Sequence, residues 1–172
     1  MNQRYYVEDQ YYKQKIVQKI AYTYHRAPYF EEIYPLILEI MNCDSNNNSE
    51  FNTNLIKCLR DYLKIECQIL LSSELEKDNL LKGSDQVIQI NRILGSSHYV
   101  NLMGGANLYK ESQFTECGLE LSFIQSVDNV CSHFSEPFCC YLSIIDTLML
   151  YPLDEIRSLI KNYCLIKQDS VL

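Results

Sequence analysis

The sequence lacks any hydrophobic run long enough to cross a membrane. A membrane helix needs about 20 consecutive apolar residues, and the longest candidate, residues 141–153, is interrupted by Ser143, Asp146 and Thr147. The first residues are polar and contain no apolar region of the kind found in secretory signals. We therefore expect a soluble, cytoplasmic protein without membrane insertion.

Basic charge is also scarce, because the net charge is -7 at pH 7. The densest basic group, Lys13, Lys15 and Lys19, has the spacing of a solvated helix face. Phosphate backbones are bound by clustered lysine and arginine side chains. The composition therefore argues against a nucleic-acid partner.

No two of the eight cysteines form a C-x-x-C pair. In a cytoplasmic chain, reduced thiols that pack as small apolar groups are the default, and Cys58 and Cys164 fit helical faces. The alternative is a zinc site built from Cys131, His133 and the pair Cys139–Cys140, although these residues lack a standard ligand spacing. The sequence thus indicates no metal and no cofactor.

The 172 residues, 47% of them apolar, suit a single domain that spans residues 1–172. The first third has helical periodicity. One helix carries Ile16, Ile20 and Tyr24, and a second begins at or just after Pro28. Residues 42–49 form a polar loop.

From Phe51 onward, a helix followed by a strand occurs three times, with strands predicted at residues 65–71, 98–103 and 119–124. Ser84 is a candidate N-cap, whereas Gly95 and Gly118 are placed to end helices. This order predicts an α/β fold with a small parallel sheet, packed helices, and helical N- and C-terminal parts. The last predicted helix opens at Pro152 and places Tyr163 on its apolar face.

Parallel sheets bind ligands at the carboxyl ends of their strands. Gly104, Gly105 and Asn107 follow the second predicted strand, directly before a predicted helix, so a phosphate or carboxylate is a plausible ligand there. The alternative is a tight turn that requires positive φ. Ser72 and Ser73 follow the first strand, where they either line the same rim or cap the next segment.

No pair of residues stands out as nucleophile and base, so the catalytic residues are unknown. His133 lies in an irregular stretch whose composition suits an active-site loop. Asp146 stands in an apolar helix, where it either anchors the helix or takes part in catalysis. For His25 and His98, a structural role is the simpler interpretation.

Five segments resemble the WbqC-like protein family, in matching order and spacing from about Lys15 to Ile160. They are His25–Glu32 (with APYFEE), Leu70–Leu75, Tyr99–Tyr109 with its two glycines, Phe114–Phe123, and Phe138–Leu148 (with LSIID). Family members usually begin with a further segment containing a strand and a Gln-Pro motif, so the resemblance implies an N-terminally truncated member.

The resemblance implies a role in making bacterial surface polysaccharide such as O-antigen or lipopolysaccharide. The expected chemistry is transfer of an acyl or aminoacyl group to a nucleotide-linked sugar. The alternative is a non-catalytic binding or assembly subunit, or an inactive fragment. A subunit should expose apolar surface where the additional strand would pair, and should form a homodimer or bind a partner chain.

Overall fold

A computed structural model describes residues 4–5, 10–127 and 142–168. The chain divides into two compact units. Unit 1 contains Met1–Ile69 and Asn129–Leu159, and unit 2 contains Leu70–Asp128 and Ile160–Leu172. The single domain expected over residues 1–172 stays a prediction.

Unit 1 is helical in its described residues. Its elements are α1 (Gln10–Tyr24), α2 (Phe30–Met41), α3 (Asn48–Tyr62), α6 (Ile144–Leu150) and most of α7 (Leu153–Lys161). The helical spacing of Ile33, Ile37 and Ile40 buries one face of α2. The core contains Ala27, Ile33, Ile37, Leu63, Leu148, Met149 and Ile156.

Unit 2 carries the sheet. Its elements are α4 (Gly83–Ile93), β1 (His98–Leu102), a 3-10 helix (Met103–Leu108), α5 (Glu111–Thr115), β2 (Glu120–Ser126) and β3 (Tyr163–Ile166). The strand order is β1-β2-β3, with β1 parallel to β2 and β3 antiparallel to β2. The core on one face of the sheet contains Ile88, Ala106, Phe114, Leu119, Leu121 and Phe123. The predicted α/β class and the strands β1 and β2 are confirmed.

Glycine ends two helical segments of unit 2 as predicted. Gly95 and Gly118 have φ of 64° and 72°. The N–H of Gly95 donates to Arg92, and that of Ser96 donates to Asn91, which completes a Schellman motif. Lys64 occupies the corresponding left-handed position after α3, with φ of 54°.

The predicted strand at residues 65–71 is wrong, because this segment has no regular structure. Ile65 and Leu70 are exposed, and Glu66 and Gln68 interrupt the apolar run. A short apolar run becomes a strand only where a neighbouring strand pairs with it, and β1 has only β2 beside it among the described residues.

The C-terminal part differs as well. α7 ends at Lys161, and Tyr163 lies in β3 rather than on the last helix. Cys164 is therefore an exposed strand residue and not a buried residue on a helical face. Ser84 is not an N-cap either, since α4 begins at Gly83 and Lys82 occupies the cap position.

None of the described helices is both long and apolar enough to cross a bilayer.

Candidate functional site

The turn after β1 is built around close contacts of its second glycine. Gly105 is buried, and a Cβ atom placed there would lie 2.4 Å from Nδ2 of Asn101. Gly104 is exposed, and a Cβ atom there would meet nothing within 4 Å. A side chain at Gly105 would therefore displace the amide group of Asn101, whereas Gly104 borders open space.

The conformation of this turn differs from both sequence-based interpretations. Neither Gly104 nor Gly105 has positive φ, so a left-handed turn does not explain them. Both lie within the 3-10 helix, and α5 begins later, at Glu111. The helix predicted to open directly after the glycines is therefore displaced toward the C-terminus.

A residue far along the chain fixes this turn. The side-chain Nε2 of Gln168 donates to the carbonyl of Ala106 at 2.9 Å and to that of Tyr109 at 2.6 Å. Its Oε1 accepts from the N–H of Glu111 at 2.8 Å. The carboxamide thus uses both N–H groups and its oxygen on the backbone of one turn. Sequence reasoning missed Gln168 because no local pattern marks a contact across about sixty residues.

An aromatic cluster supports the same turn from the core side. The ring of Tyr99 stacks on Phe114 at a centroid distance of 5.8 Å, and Tyr109 meets both rings edge-on. Burial, followed by the hydrogen bond and charge interaction with Tyr109, raises the pKa of Tyr99 to about 12. Tyr99 and Tyr109 are therefore packing groups of this core.

The other serine candidates lie in the connection that leads to α4. Ser72 and Ser73 are exposed, and the carbonyl of Ser72 accepts a hydrogen bond from Nζ of Lys77. Neither serine caps a helix, because α4 begins only at Gly83. Their contribution to a ligand site stays a prediction.

A serine–histidine pair joins the two parallel strands. Nε2 of His98 lies 2.9 Å from Oγ of Ser122. Ser122 is only 3% exposed, so a substrate cannot reach its hydroxyl as the strands stand. The pair stabilises the contact between β1 and β2, which agrees with the structural role expected for His98. Ser122 was not predicted from the sequence, because only the register of the two strands brings it near His98.

Asp146 is an anchor in unit 1. Its side chain is buried, and Oδ1 accepts a hydrogen bond of 3.0 Å from the hydroxyl of Tyr24. Burial, then this hydrogen bond, then the charge of Asp146 raise the pKa of Tyr24 to about 12. The carboxylate has the partner that burial demands, and it joins α6 to α1.

The APYFEE segment is tied to the same helical core. The N–H of Tyr29 donates to the carbonyl of Met149 at 3.2 Å. Glu32 accepts a 2.8 Å hydrogen bond from the hydroxyl of Tyr62. Ala27 belongs to the same buried cluster as Leu148, the residue two positions after Asp146. The two most distinctive sequence segments therefore meet in one core.

The remaining candidates fall outside the described residues. His133, Cys131 and the pair Cys139–Cys140 lie in the segment 128–141. Across residues 4–5, 10–127 and 142–168, no three histidine, cysteine or acidic side chains are grouped as a metal site would require.

Comparison with known proteins adds one assignment. Searches of curated proteins and of solved structures gave no significant match. The profile of the WbqC-like protein family matches residues 1–158 of the 172. This range includes the helical core of unit 1 and the glycine turn of unit 2, while β3 and Gln168 follow it. The chain therefore belongs to the WbqC-like protein family.

Proposed function

We propose that this protein acts in the biosynthesis of bacterial surface polysaccharide, such as the O-antigen of lipopolysaccharide. In this role it is a cytoplasmic transferase that moves an acyl or aminoacyl group to a nucleotide-linked sugar. Membership of the WbqC-like family over residues 1–158 is the observation that supports the proposal. The position and openness of the turn after β1 support a substrate site there.

The position of this turn suits a substrate phosphate. β1 and β2 run parallel and end at Leu102 and Ser126, so the segments that follow them leave the same end of the sheet. Ligands of parallel sheets bind at this end. The turn with Gly104, Gly105 and Asn107 follows β1, and sequence position alone puts His133 in the segment after β2.

Exposure within the turn suits direct contact with a ligand. Gly104 and Asn107 are exposed, and the missing side chain of Gly104 leaves its backbone open to solvent. Backbone N–H groups can bind a phosphate at such a position without a steric barrier. Ser72 and Ser73 are additional candidate ligands from the connection before α4. The buried Asp146 holds helices of unit 1 together in this proposal.

Thermal unfolding with added nucleotides, nucleotide-linked sugars and acyl donors tests the proposal. A ligand at 100 times its dissociation constant stabilises the folded state by about 2.7 kcal/mol. For a chain of this length, the melting temperature should rise by roughly 5 °C or more. We expect this increase with one class of nucleotide-linked compound.

Gly104 provides a matched pair of variants. Because a Cβ atom at this position meets nothing within 4 Å, Gly104→Ala should keep both the fold and the ligand-induced increase. Gly104→Asp adds a carboxylate at the same position and should abolish the increase by repelling the phosphate. Gly105→Asp is unsuitable, because its Cβ atom would collide with Asn101. An equal increase for Gly104→Asp and Gly104→Ala would place the substrate elsewhere.

A non-catalytic assembly subunit is the second candidate, and it has its own supporting observation. The side chains of Val100, Leu102 and Leu108, on and after β1, are 40%, 70% and 73% exposed. Such a strand edge can pair with another chain. Sedimentation of the purified protein measures this directly. A dimer together with no thermal response to any compound would favour the subunit over the transferase.

A further inference from the structure

The three backbone groups that bind Gln168 are complementary to a primary carboxamide, with two acceptors for its NH₂ group and one donor for its oxygen. The carbonyls of Ala106 and Tyr109 accept from Nε2, and the N–H of Glu111 donates to Oε1. A carboxylate cannot replace this group, because the oxygen in the place of Nε2 would face both carbonyl oxygens with no proton to donate. A secondary amide has a single N–H and would leave one of the two carbonyls without its donor.

The part of the chain that carries Gln168 is attached weakly. In β3, Tyr163 and Leu165 are 48% and 46% exposed, so the strand buries little apolar surface. Lys167 and Glu120 form an exposed ion pair of 3.5 Å, a kind of contact that contributes at most about 1 kcal/mol. β3 ends at Ile166, so the carboxamide can leave the turn while the strand stays paired. Segments with few buried contacts open at low free-energy cost.

We propose that the turn formed by Ala106, Tyr109 and Glu111 is a binding site for a primary carboxamide, which Gln168 fills from within the same chain. A ligand with this group competes with Gln168 for the same three backbone groups. Because Gln168 is tethered to the turn by its own chain, it competes with the ligand at an effective concentration on the order of millimolar, as for other short flexible tethers. Gln168 and β3 lie outside the range that matches the family. The site does not depend on the proposed transferase activity.

Propionamide and propionate are suitable probes, because they reproduce the ends of a glutamine and a glutamate side chain. We expect Gln168→Ala to bind propionamide about tenfold more tightly than the unmodified protein, which corresponds to a turn that Gln168 leaves open about one tenth of the time. Propionate should bind neither protein. Lys161→Ala removes an exposed side chain from the end of α7 but keeps the carboxamide and the Lys167–Glu120 ion pair, so its affinity for propionamide should equal that of the unmodified protein.

NMR spectroscopy of the full chain measures both binding and its location. In Gln168→Ala, propionamide should shift the backbone N–H signal of Glu111, and a cooperative thermal transition would verify folding. If the folded variant binds no propionamide, or binds propionate equally well, Gln168 is only a structural contact and the proposal is wrong.

The unmodified protein supplies a second measurement, which does not depend on how the variant folds. A high concentration of propionamide should move the side-chain NH₂ signals of Gln168 to the values of a free glutamine, and propionate should leave them unchanged. If propionamide leaves these signals in place while it shifts other residues, binding occurs elsewhere and the proposal fails.

Discussion

Two polar side chains, one in each unit, make different kinds of contact. In unit 1, the carboxylate of Asp146 is bound by the hydroxyl of Tyr24, a side chain on another helix. In unit 2, the carboxamide of Gln168 binds only backbone groups of a turn. A side-chain pair between helices fixes their packing, whereas a side chain that binds a turn can be replaced by a ligand with the same groups. This difference is why we propose a ligand for the turn of unit 2 and a structural role for Asp146.

The distinctive family segments follow the same division. APYFEE and LSIID meet in the core of unit 1, because Ala27 is buried in this core and Ile145 packs against it. The glycine turn lies in unit 2, where a Cβ atom at Gly105 would meet the side chain of Asn101 and one at Gly104 would meet nothing. The segments that are easiest to recognise in the sequence are therefore those that build the helical core.

The strongest way to test this division is to remove a core side chain from one unit. Phe123 is fully buried in β2, the central strand. Phe123→Ala should lower the free energy of unfolding by about 3 to 5 kcal/mol, because it removes a large apolar group and leaves a cavity. Urea unfolding measures the loss, and hydrogen exchange shows which unit loses protection.

Met149→Ala is the counterpart in unit 1, where the side chain is also fully buried. It should cost about 2 to 5 kcal/mol. If the units are independent, each variant accelerates exchange mainly in its own unit. Equal loss of protection in both units for both variants would show that the chain unfolds as one body, and it would contradict the comparison.

A smaller effect is expected from the Tyr24–Asp146 pair. Tyr24→Phe removes the hydroxyl that binds a buried carboxylate, and hydrogen bonds to charged groups contribute about 1.5 to 3 kcal/mol. We expect a loss of about 2 kcal/mol in urea unfolding. Tyr22→Phe is the matched control, because Tyr22 is on the same helix and 84% exposed. Equal losses for the two variants would mean that the pair does not stabilise unit 1.

The same pair should respond to alkaline pH. The pKa of Tyr24 is raised from 10 to about 12, so the folded state binds this proton more tightly than the unfolded state does. Its contribution to stability is complete below pH 10 and is lost as the pH rises toward 12. Tyr24→Phe should therefore weaken the decrease in stability over this interval. An unchanged decrease would assign it to Tyr62 and Tyr99, whose pKa values are also raised to about 12.

Local patterns predicted much of the fold. Apolar spacing indicated α2, glycine marked the helix ends at Gly95 and Gly118, and short apolar runs indicated β1 and β2. These features depend on residues close together in the sequence. The predictions failed where pairing decides structure, since residues 65–71 have no strand beside them while residues 163–166 pair with β2.

The candidate site could be predicted only in outline. The turn with Gly104 and Gly105 was located from its place after a strand, but its 3-10 conformation was not. Gln168 binds groups about sixty residues away, and Tyr24 lies 122 residues from Asp146. Such contacts form after the chain folds and leave no periodic signal in the sequence. Asp146 could be predicted to need a partner, because burial of a carboxylate requires one.

The smallest predicted effect concerns how the helices of the two units end. In unit 2, the left-handed residues that end helical segments are Gly95 and Gly118, whereas in unit 1 Lys64 takes this position after α3. The N–H of Ile65 donates to Arg60 and that of Lys64 to Asp61, so the Schellman hydrogen bonds form despite the side chain. A residue with a Cβ atom is destabilised in this conformation by about 1 to 2 kcal/mol. Glycine avoids this cost, but it loses more conformational entropy on folding, which offsets part of the gain.

Lys64→Gly should therefore stabilise the protein by about 0.5 to 1 kcal/mol in urea unfolding. Lys57→Gly makes the same substitution inside α3, at an exposed position, and should destabilise by about 1 kcal/mol, the usual difference for glycine in a helix. Opposite signs for the same substitution inside α3 and just after it would show that backbone conformation causes the effect, since both variants lose an exposed lysine charge. Destabilisation by both substitutions would mean that the backbone of Lys64 bears no strain. The difference between Lys64 in unit 1 and the glycines of unit 2 would then have no effect on stability.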